Sequence, residues 1–149
     1  MTNHHTLQHQ IICLVFIILS FSICSAKNTR KSFRLGNYQV SLKLSDNSRI
    51  KEFPYEEGKF VDIIDDTGSI IILFSGGLTT LPIIKRDNAE IISTNNTNRY
   101  ETEFGKKDSL FYRETTYHKS NIRVGYDRVS KSRLHKYEKI LKSVRIKQL

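Results

Sequence analysis

The stretch that decides the fold is Phe60-Val61-Asp62-Ile63-Ile64-Asp65-Asp66-Thr67-Gly68-Ser69-Ile70-Ile71-Ile72-Leu73-Phe74. Two runs rich in β-branched and aromatic residues flank a short Asp/Gly segment at 65–68, and this pattern predicts a β-hairpin. The second run, 69–74, is apolar without alternation. We therefore expect it to form a central strand that is buried on both faces of a sheet.

Strand-like runs continue on both sides of this hairpin. Residues 38–44 alternate between apolar and polar side chains, which indicates a half-buried strand. The polar, basic residues 27–32 before it predict a loose lead-in. In the run 78–84, Pro82 cannot donate to a ladder, so that strand is expected at an edge or a bulge. The remaining predicted strands are 49–53, 89–94, 100–104, 109–117, 121–127 and 144–147.

The periodicity changes near the C-terminus, where apolar residues recur at three-, four- and three-residue spacing. This stripe consists of Leu134, Tyr137, Leu141 and Val144. With Ser130 as a suitable N-cap, the pattern predicts a helix from about Lys131 to Lys142. The predicted fold class is α+β: a mainly antiparallel β-sheet of seven to nine short strands with one C-terminal amphipathic helix.

The N-terminal segment predicts export. The apolar run Ile11–Ile23 is shorter than the about 20 residues that a membrane-spanning helix needs. Small residues in Cys24-Ser25-Ala26 fit cleavage after Ala26. We expect a signal peptide at 1–26 and a single domain at 27–149 that is periplasmic or secreted. The alternatives are an uncleaved anchor, a buried N-terminal helix, and a lipid on Cys24, which would give membrane association.

Cleavage at this position would remove both cysteines, Cys13 and Cys24. The mature domain would then have no disulfide, no thiol nucleophile and no thiolate zinc site. Its two remaining histidines, His118 and His135, are not at ligand spacing, so we expect surface histidines, no metal and no cofactor.

Positive charge is concentrated at the C-terminal end. The chain carries +9, and residues 118–149 hold ten bases against two acids, which leaves +8 there. The candidate face for an anionic partner comprises Lys131, Arg133, Lys136, Lys139 and Lys142. Such a face fits an acidic protein, a lipid headgroup or an envelope polyanion. A helix packed by its apolar stripe would show the same charges with no ligand at all. Nucleic acid is not expected, because exposed aromatics are not interleaved with the charges.

Three other groups of residues could carry chemistry. Ser75-Gly76-Gly77 lacks the Gly-x-Ser-x-Gly pattern and is expected to be a glycine turn between strands. An acidic cluster lacks the spacing of a calcium loop, so we expect solvated turns and strand edges there. Asp at the hairpin turn is explained by hydrogen bonds to the backbone of that turn. This cluster comprises Glu56, Glu57, Asp62, Asp65 and Asp66. The carboxylates that a small hydrolase would have to gather are Glu101, Glu103 and Glu114. The triplet Asn95-Asn96-Thr97 matches a glycosylation acceptor, which matters only in a eukaryotic source.

Two segments resemble known proteins. The leader end, residues 17–26, resembles export signals of Bacteroidetes. Residues 123–126 and 134–146 resemble the ending of small exported bacterial domains, including the PsbP/Mog1-like group. In those domains, a strand is followed by a helix and then by a short strand. The resemblance covers about 25 residues and implies the local fold, with no functional residue to transfer.

We therefore expect an exported, non-enzymatic binding or interaction protein that uses its basic C-terminal face for an acidic partner. An immunity-type or inhibitor protein that neutralises a toxin or hydrolase in the envelope is the alternative. A small hydrolase is the third hypothesis.

Overall fold

The computed structural model describes residues 28–78, 81–84 and 87–149. That part of the chain contains ten strands, a 3₁₀ turn and one α-helix. The strands are β1 (Asn28–Leu35), β2 (Tyr38–Ser45), β3 (Arg49–Tyr55), β4 (Gly58–Ile64), β5 (Ile70–Gly77), β6 (Glu90–Asn96), β7 (Tyr100–Lys107), β8 (Leu110–Tyr117), β9 (Ile122–Val129) and β10 (Arg145–Gln148). The 3₁₀ turn spans Lys131–Arg133, and helix α1 spans Leu134–Leu141.

The strands form two antiparallel sheets. The small sheet has the order β1-β2-β10, and the large sheet has the order β3-β4-β5-β9-β8-β7-β6. Every recorded strand pairing is antiparallel. The predicted α+β class, with a mainly antiparallel sheet and a single C-terminal helix, is confirmed. Within the described ranges, α1 is the only α-helix, and no helix has the length and apolar character needed to cross a membrane.

The core lies between the small sheet and one half of the large sheet. Val40 and Leu42 of β2 are fully buried, as predicted from the alternation of residues 38–44. The rings of Phe33 on β1 and Phe74 on β5 meet edge to face with their centroids 5.0 Å apart. Aromatic contact of this kind adds to the stabilisation from buried apolar area. The core therefore joins the first strand of the chain to the central strand of the other sheet.

The deciding hairpin forms as predicted. Its turn places Gly68 at φ +82°, a backbone conformation that favours glycine. In β5, Ile72 and Phe74 are buried on one face, while Ser75 is buried and Leu73 half-buried on the other. The expectation of a strand covered on both faces is therefore confirmed for the body of β5. Only its first residue, Ile70, is exposed, next to an irregularity in the pairing with β4.

Two strand predictions were wrong. Residues 28–32 were expected to be a loose lead-in, but they belong to β1, which pairs with β2 along its whole length. Pairing with β2 satisfies the backbone there, and a polar composition does not reveal such pairing. The described residues contain ten strands, one more than the upper end of the expected seven to nine. Leu78 and residues 81–84, expected in a strand, are not in one. The leader at 1–26, with Cys24, lies outside the described residues.

The helix is shorter than predicted. Residues 131–133 form the 3₁₀ turn, and the α-helix begins only at Leu134. Ser130 makes no capping hydrogen bond, because its Oγ instead contacts Ser132 Oγ at 3.1 Å. The short C-terminal strand expected at 144–147 is present as β10.

Candidate functional site

Helix α1 is fixed on the large sheet by its apolar stripe. Tyr137 is buried, and its ring meets that of Tyr126 on β9 edge to face at 5.5 Å. The other members of the predicted stripe, Leu134, Leu141 and Val144, are half-buried against the core. The stripe prediction is therefore confirmed, and the opposite side of the helix faces solvent.

A polar anchor that the sequence did not predict holds the same helix. Glu138 accepts a hydrogen bond from the Tyr126 hydroxyl at 2.8 Å and one from Arg113 Nη1 at 2.5 Å. Burial, together with the hydrogen bond and the negative charge of Glu138, raises the pKa of Tyr126 far above its usual value. Tyr126 therefore remains a neutral hydrogen-bond donor. In the sequence, the only indication of this anchor is Glu138 itself, an isolated acid next to Tyr137 in a strongly basic segment.

All five predicted cations are exposed, but they do not form one uniform face. Arg133 and Lys136 lie 3.6 and 3.7 Å from Asp65 Oδ2 in the β4–β5 turn. Arg133 also lies over the Tyr137 ring, 5.5 Å from its centroid. The side chains of Lys131, Lys139 and Lys142 make no ion pair with any described residue. The face thus separates into a paired half and an unpaired half.

A groove between α1 and β2, which we call the basic groove, is lined by Lys139 of the unpaired half and by Lys136 of the paired half. It has a volume of about 330 Å³. Its basic side chains come from two elements and are Lys43, His135, Lys136 and Lys139. Its hydroxyl groups belong to Ser45, Ser48 and Ser143, and its apolar floor contains Leu44, Ile71 and Ile140.

No carboxylate lies among the described residues that line the basic groove. The nearest acid identified by contact is Asp65, which reaches Lys136 from the adjacent turn. Lys43 was missed by sequence reasoning, because it belongs to a strand 93 residues before Lys136. Only the packing of α1 beside β2 brings these charges together.

Asp65 is the buried acid at the edge of this region. Its Oδ1 accepts hydrogen bonds from the backbone N–H groups of Thr67 and Ser69, both at 3.0 Å, and from the Thr67 hydroxyl at 2.6 Å. Burial alone would raise the pKa of Asp65, but these hydrogen bonds and the charge of Lys136 hold it below its usual value. The hairpin turn and the helix thus share one ionised carboxylate.

Replacing Asp65 with Asn is expected to lower the free energy of unfolding by about 1–3 kcal/mol at neutral pH. The folded-state pKa lies below 3.8, so the stabilisation is fully present above that value and is lost as the pH falls through the folded pKa. Urea unfolding of both proteins from neutral to acidic pH measures this difference. Asp66→Asn, an exposed change in the same turn, should stay within about 0.5 kcal/mol of wild type. If the difference in unfolding free energy between wild type and Asp65→Asn did not change with pH, this role of the Asp65 charge would be contradicted.

The other sequence candidates do not assemble into a second site. His118 and His135 are both exposed, as expected. The acidic cluster was expected in solvated positions, which is wrong for Asp65: it is 2% exposed, because its own turn and the cations of the helix region surround it. The described residues contain no group of three or more potential metal ligands. The Ser75-Gly76-Gly77 segment is the end of β5 rather than the turn we expected.

The three carboxylates considered for a hydrolase lie on one face of the large sheet, opposite α1. Glu103 and Glu114 are direct cross-strand neighbours, and Glu101 is exposed. The Glu114 carboxylate is buried, and it accepts hydrogen bonds from Arg123 Nη1 and from the Ile83 N–H, both at 3.0 Å. Glu103 accepts one from the Tyr112 hydroxyl at 3.0 Å. These bonds join Glu114 to Arg123 on β9 and to the backbone of Ile83, and they join Glu103 to Tyr112 on β8.

In the comparison with known proteins, no protein-family model, no curated protein and no solved structure matches the chain.

Proposed function

We propose that this protein is a non-enzymatic binding protein whose basic groove takes an acidic segment of a partner protein. The observation that carries the proposal is the convergence of Lys43, Lys136 and Lys139 on one groove without a lining carboxylate. Lys136 already pairs with Asp65, but Lys43 and Lys139 make no ion pair with any described residue. Cations held close together on a folded surface repel one another, and an anionic partner relieves that repulsion. The export predicted from the leader would place this binding in the periplasm or outside the cell.

The lining of the groove favours a peptide segment as its occupant. Lysine and histidine side chains form its rim, and Leu44, Ile71 and Ile140 contribute apolar surface to its floor. A segment in which carboxylates flank an aliphatic side chain would match both parts. The charged rim would provide specificity and speed of association, and the apolar floor would contribute through burial.

A defined peptide tests this proposal. We expect a fluorescent octapeptide of Asp and Glu with one central Leu to bind the mature chain, with an affinity that falls as salt is raised. The double variant Lys43→Glu/Lys139→Glu should weaken binding about tenfold. Two attractions of about 0.2–1 kcal/mol each are lost and two repulsions of similar size are gained, and tenfold corresponds to about 1.4 kcal/mol. Fluorescence anisotropy at several ionic strengths gives the dissociation constants.

The matched control is Lys107→Glu/Lys119→Glu. It changes the net charge by the same amount at two exposed lysines that do not line the groove. This control should bind within about threefold of wild type, because exposed charges beyond a Debye length are screened. Equal losses in the two double variants would mean that overall charge attracts the peptide, and the basic groove would then have no special role.

A further inference from the structure

A second cavity lies beside α1, between the helix and strands β7 and β8. We call it the helix–sheet cleft. Its volume is about 300 Å³, and its polar side chains include Tyr100, Thr102, Arg113, Thr115, Tyr117 and Lys142. None of these residues lines the basic groove. At about 30 Å³ per water molecule, the cleft has room for on the order of ten waters or a ligand of about a dozen non-hydrogen atoms.

The sheet side of the cleft carries paired hydroxyl and aromatic groups. Thr102 and Thr115 face each other across β7 and β8, and their Oγ1 atoms lie 3.0 Å apart. Along the same two strands, the rings of Tyr100 and Tyr117 meet with centroids 6.1 Å apart. Burial raises the pKa of Tyr117, despite the opposing charge of Arg113, so its phenol remains neutral. Hydroxyls beside an aromatic pair suit a polar ring that has both hydroxyl groups and an apolar face.

The charges around the cleft leave a net positive site. Glu138 lines the cleft, but its two oxygens already accept bonds from Tyr126 and Arg113. The Lys142 ammonium makes no ion pair with any residue in the described ranges. One carboxylate on a ligand would therefore find an unpaired cation at the helix end of the cleft.

We propose that the helix–sheet cleft binds a small hydroxylated carboxylate with the chemistry of a uronic acid. The ring would lie against Tyr100 and Tyr117, the ring hydroxyls would bond to the threonine pair, and the carboxylate would pair with Lys142. This site is separate from the basic groove and does not depend on the function proposed for it.

The test uses D-glucuronate as the probe and D-glucose as the same ring without the carboxylate. Titration of the ¹⁵N-labelled mature chain should give saturable shifts of amides in β7, β8 and the C-terminal half of α1. Glucose should bind about three- to fivefold more weakly, because it lacks the ion pair. No saturable shift with glucuronate, equal binding of glucose, or shifts confined to another part of the chain would each overturn the proposal.

Two variants one helical turn apart locate the binding site. Lys142→Gln removes the unpaired cation of the cleft and should weaken glucuronate binding about three- to fivefold without changing the glucose titration. Lys139→Gln removes a cation of the basic groove and should leave glucuronate binding within twofold of wild type. Both lysines are exposed, so both variants should fold normally, and their unfolding curves verify this. Equal effects of the two substitutions would overturn the assignment to the cleft.

Discussion

Replacing Phe74 with Ala is expected to lower the free energy of unfolding by about 3–5 kcal/mol. Phe74 is fully buried at the centre of β5, and its ring meets Phe33 of the other sheet. On its own sheet it is directly opposite Val61 on one side and Val124 on the other. The truncation would thus leave a cavity between the two packed sheets. The hydrogen-bonded strands on either side cannot easily move together to fill it.

Urea unfolding followed by circular dichroism measures this loss. Small domains are stable by only about 5–15 kcal/mol, so the Phe74 variant should unfold at a much lower urea concentration or fail to fold at 37 °C. Phe53→Ala is the matched control, because Phe53 is 38% exposed on the edge strand β3. Its cost should be below about 1 kcal/mol. A similar loss in both variants would contradict a core centred between the sheets.

The elements that the sequence predicted are those with a local pattern. The hairpin at 60–74 combines two apolar runs with an Asp/Gly turn, and α1 shows a stripe at helical spacing. In each case, the residues that form the pattern lie close together in the chain. Strand β1 lacks such a pattern in its first half, where Asn28–Ser32 is polar and alternates between exposed and half-buried positions. Its existence depends on β2, a partner that composition does not reveal.

The same distinction applies to the candidate sites. The five cations of the helix could be read from the sequence, because they lie close together in the chain. Lys43 could not, since only the packing of β2 beside α1 brings it to the basic groove. Asp65 was correctly expected to bond to its own turn. Its contacts with Arg133 and Lys136 were not predicted, because they join residues nearly 70 positions apart.

The anchor formed by Glu138 leads to the second large prediction. Replacing Glu138 with Ala is expected to lower the free energy of unfolding by about 2–4 kcal/mol. Tyr126 is 1% exposed, so its hydroxyl would lose its acceptor without gaining water, at a cost of about 1–3 kcal/mol. Arg113 would also lose its ion pair, but its side chain is 30% exposed, so solvent reduces this second contribution to about 1 kcal/mol.

A double-mutant cycle with Tyr126→Phe separates the hydrogen bond from other effects. Once Glu138 is absent, removing the Tyr126 hydroxyl should cost nothing further or even restore stability, because no buried donor remains unsatisfied. The cycle should therefore show a coupling of about 1 kcal/mol or more in unfolding experiments. Lys139→Ala, on the exposed side of the same helix, is the control and should change stability by less than about 0.5 kcal/mol. Additive losses in the cycle would show that Glu138 stabilises α1 without acting through Tyr126. The basic groove uses side chains of α1 but not Glu138, so peptide binding there should weaken in the Glu138 variant only to the extent that the helix leaves the sheet.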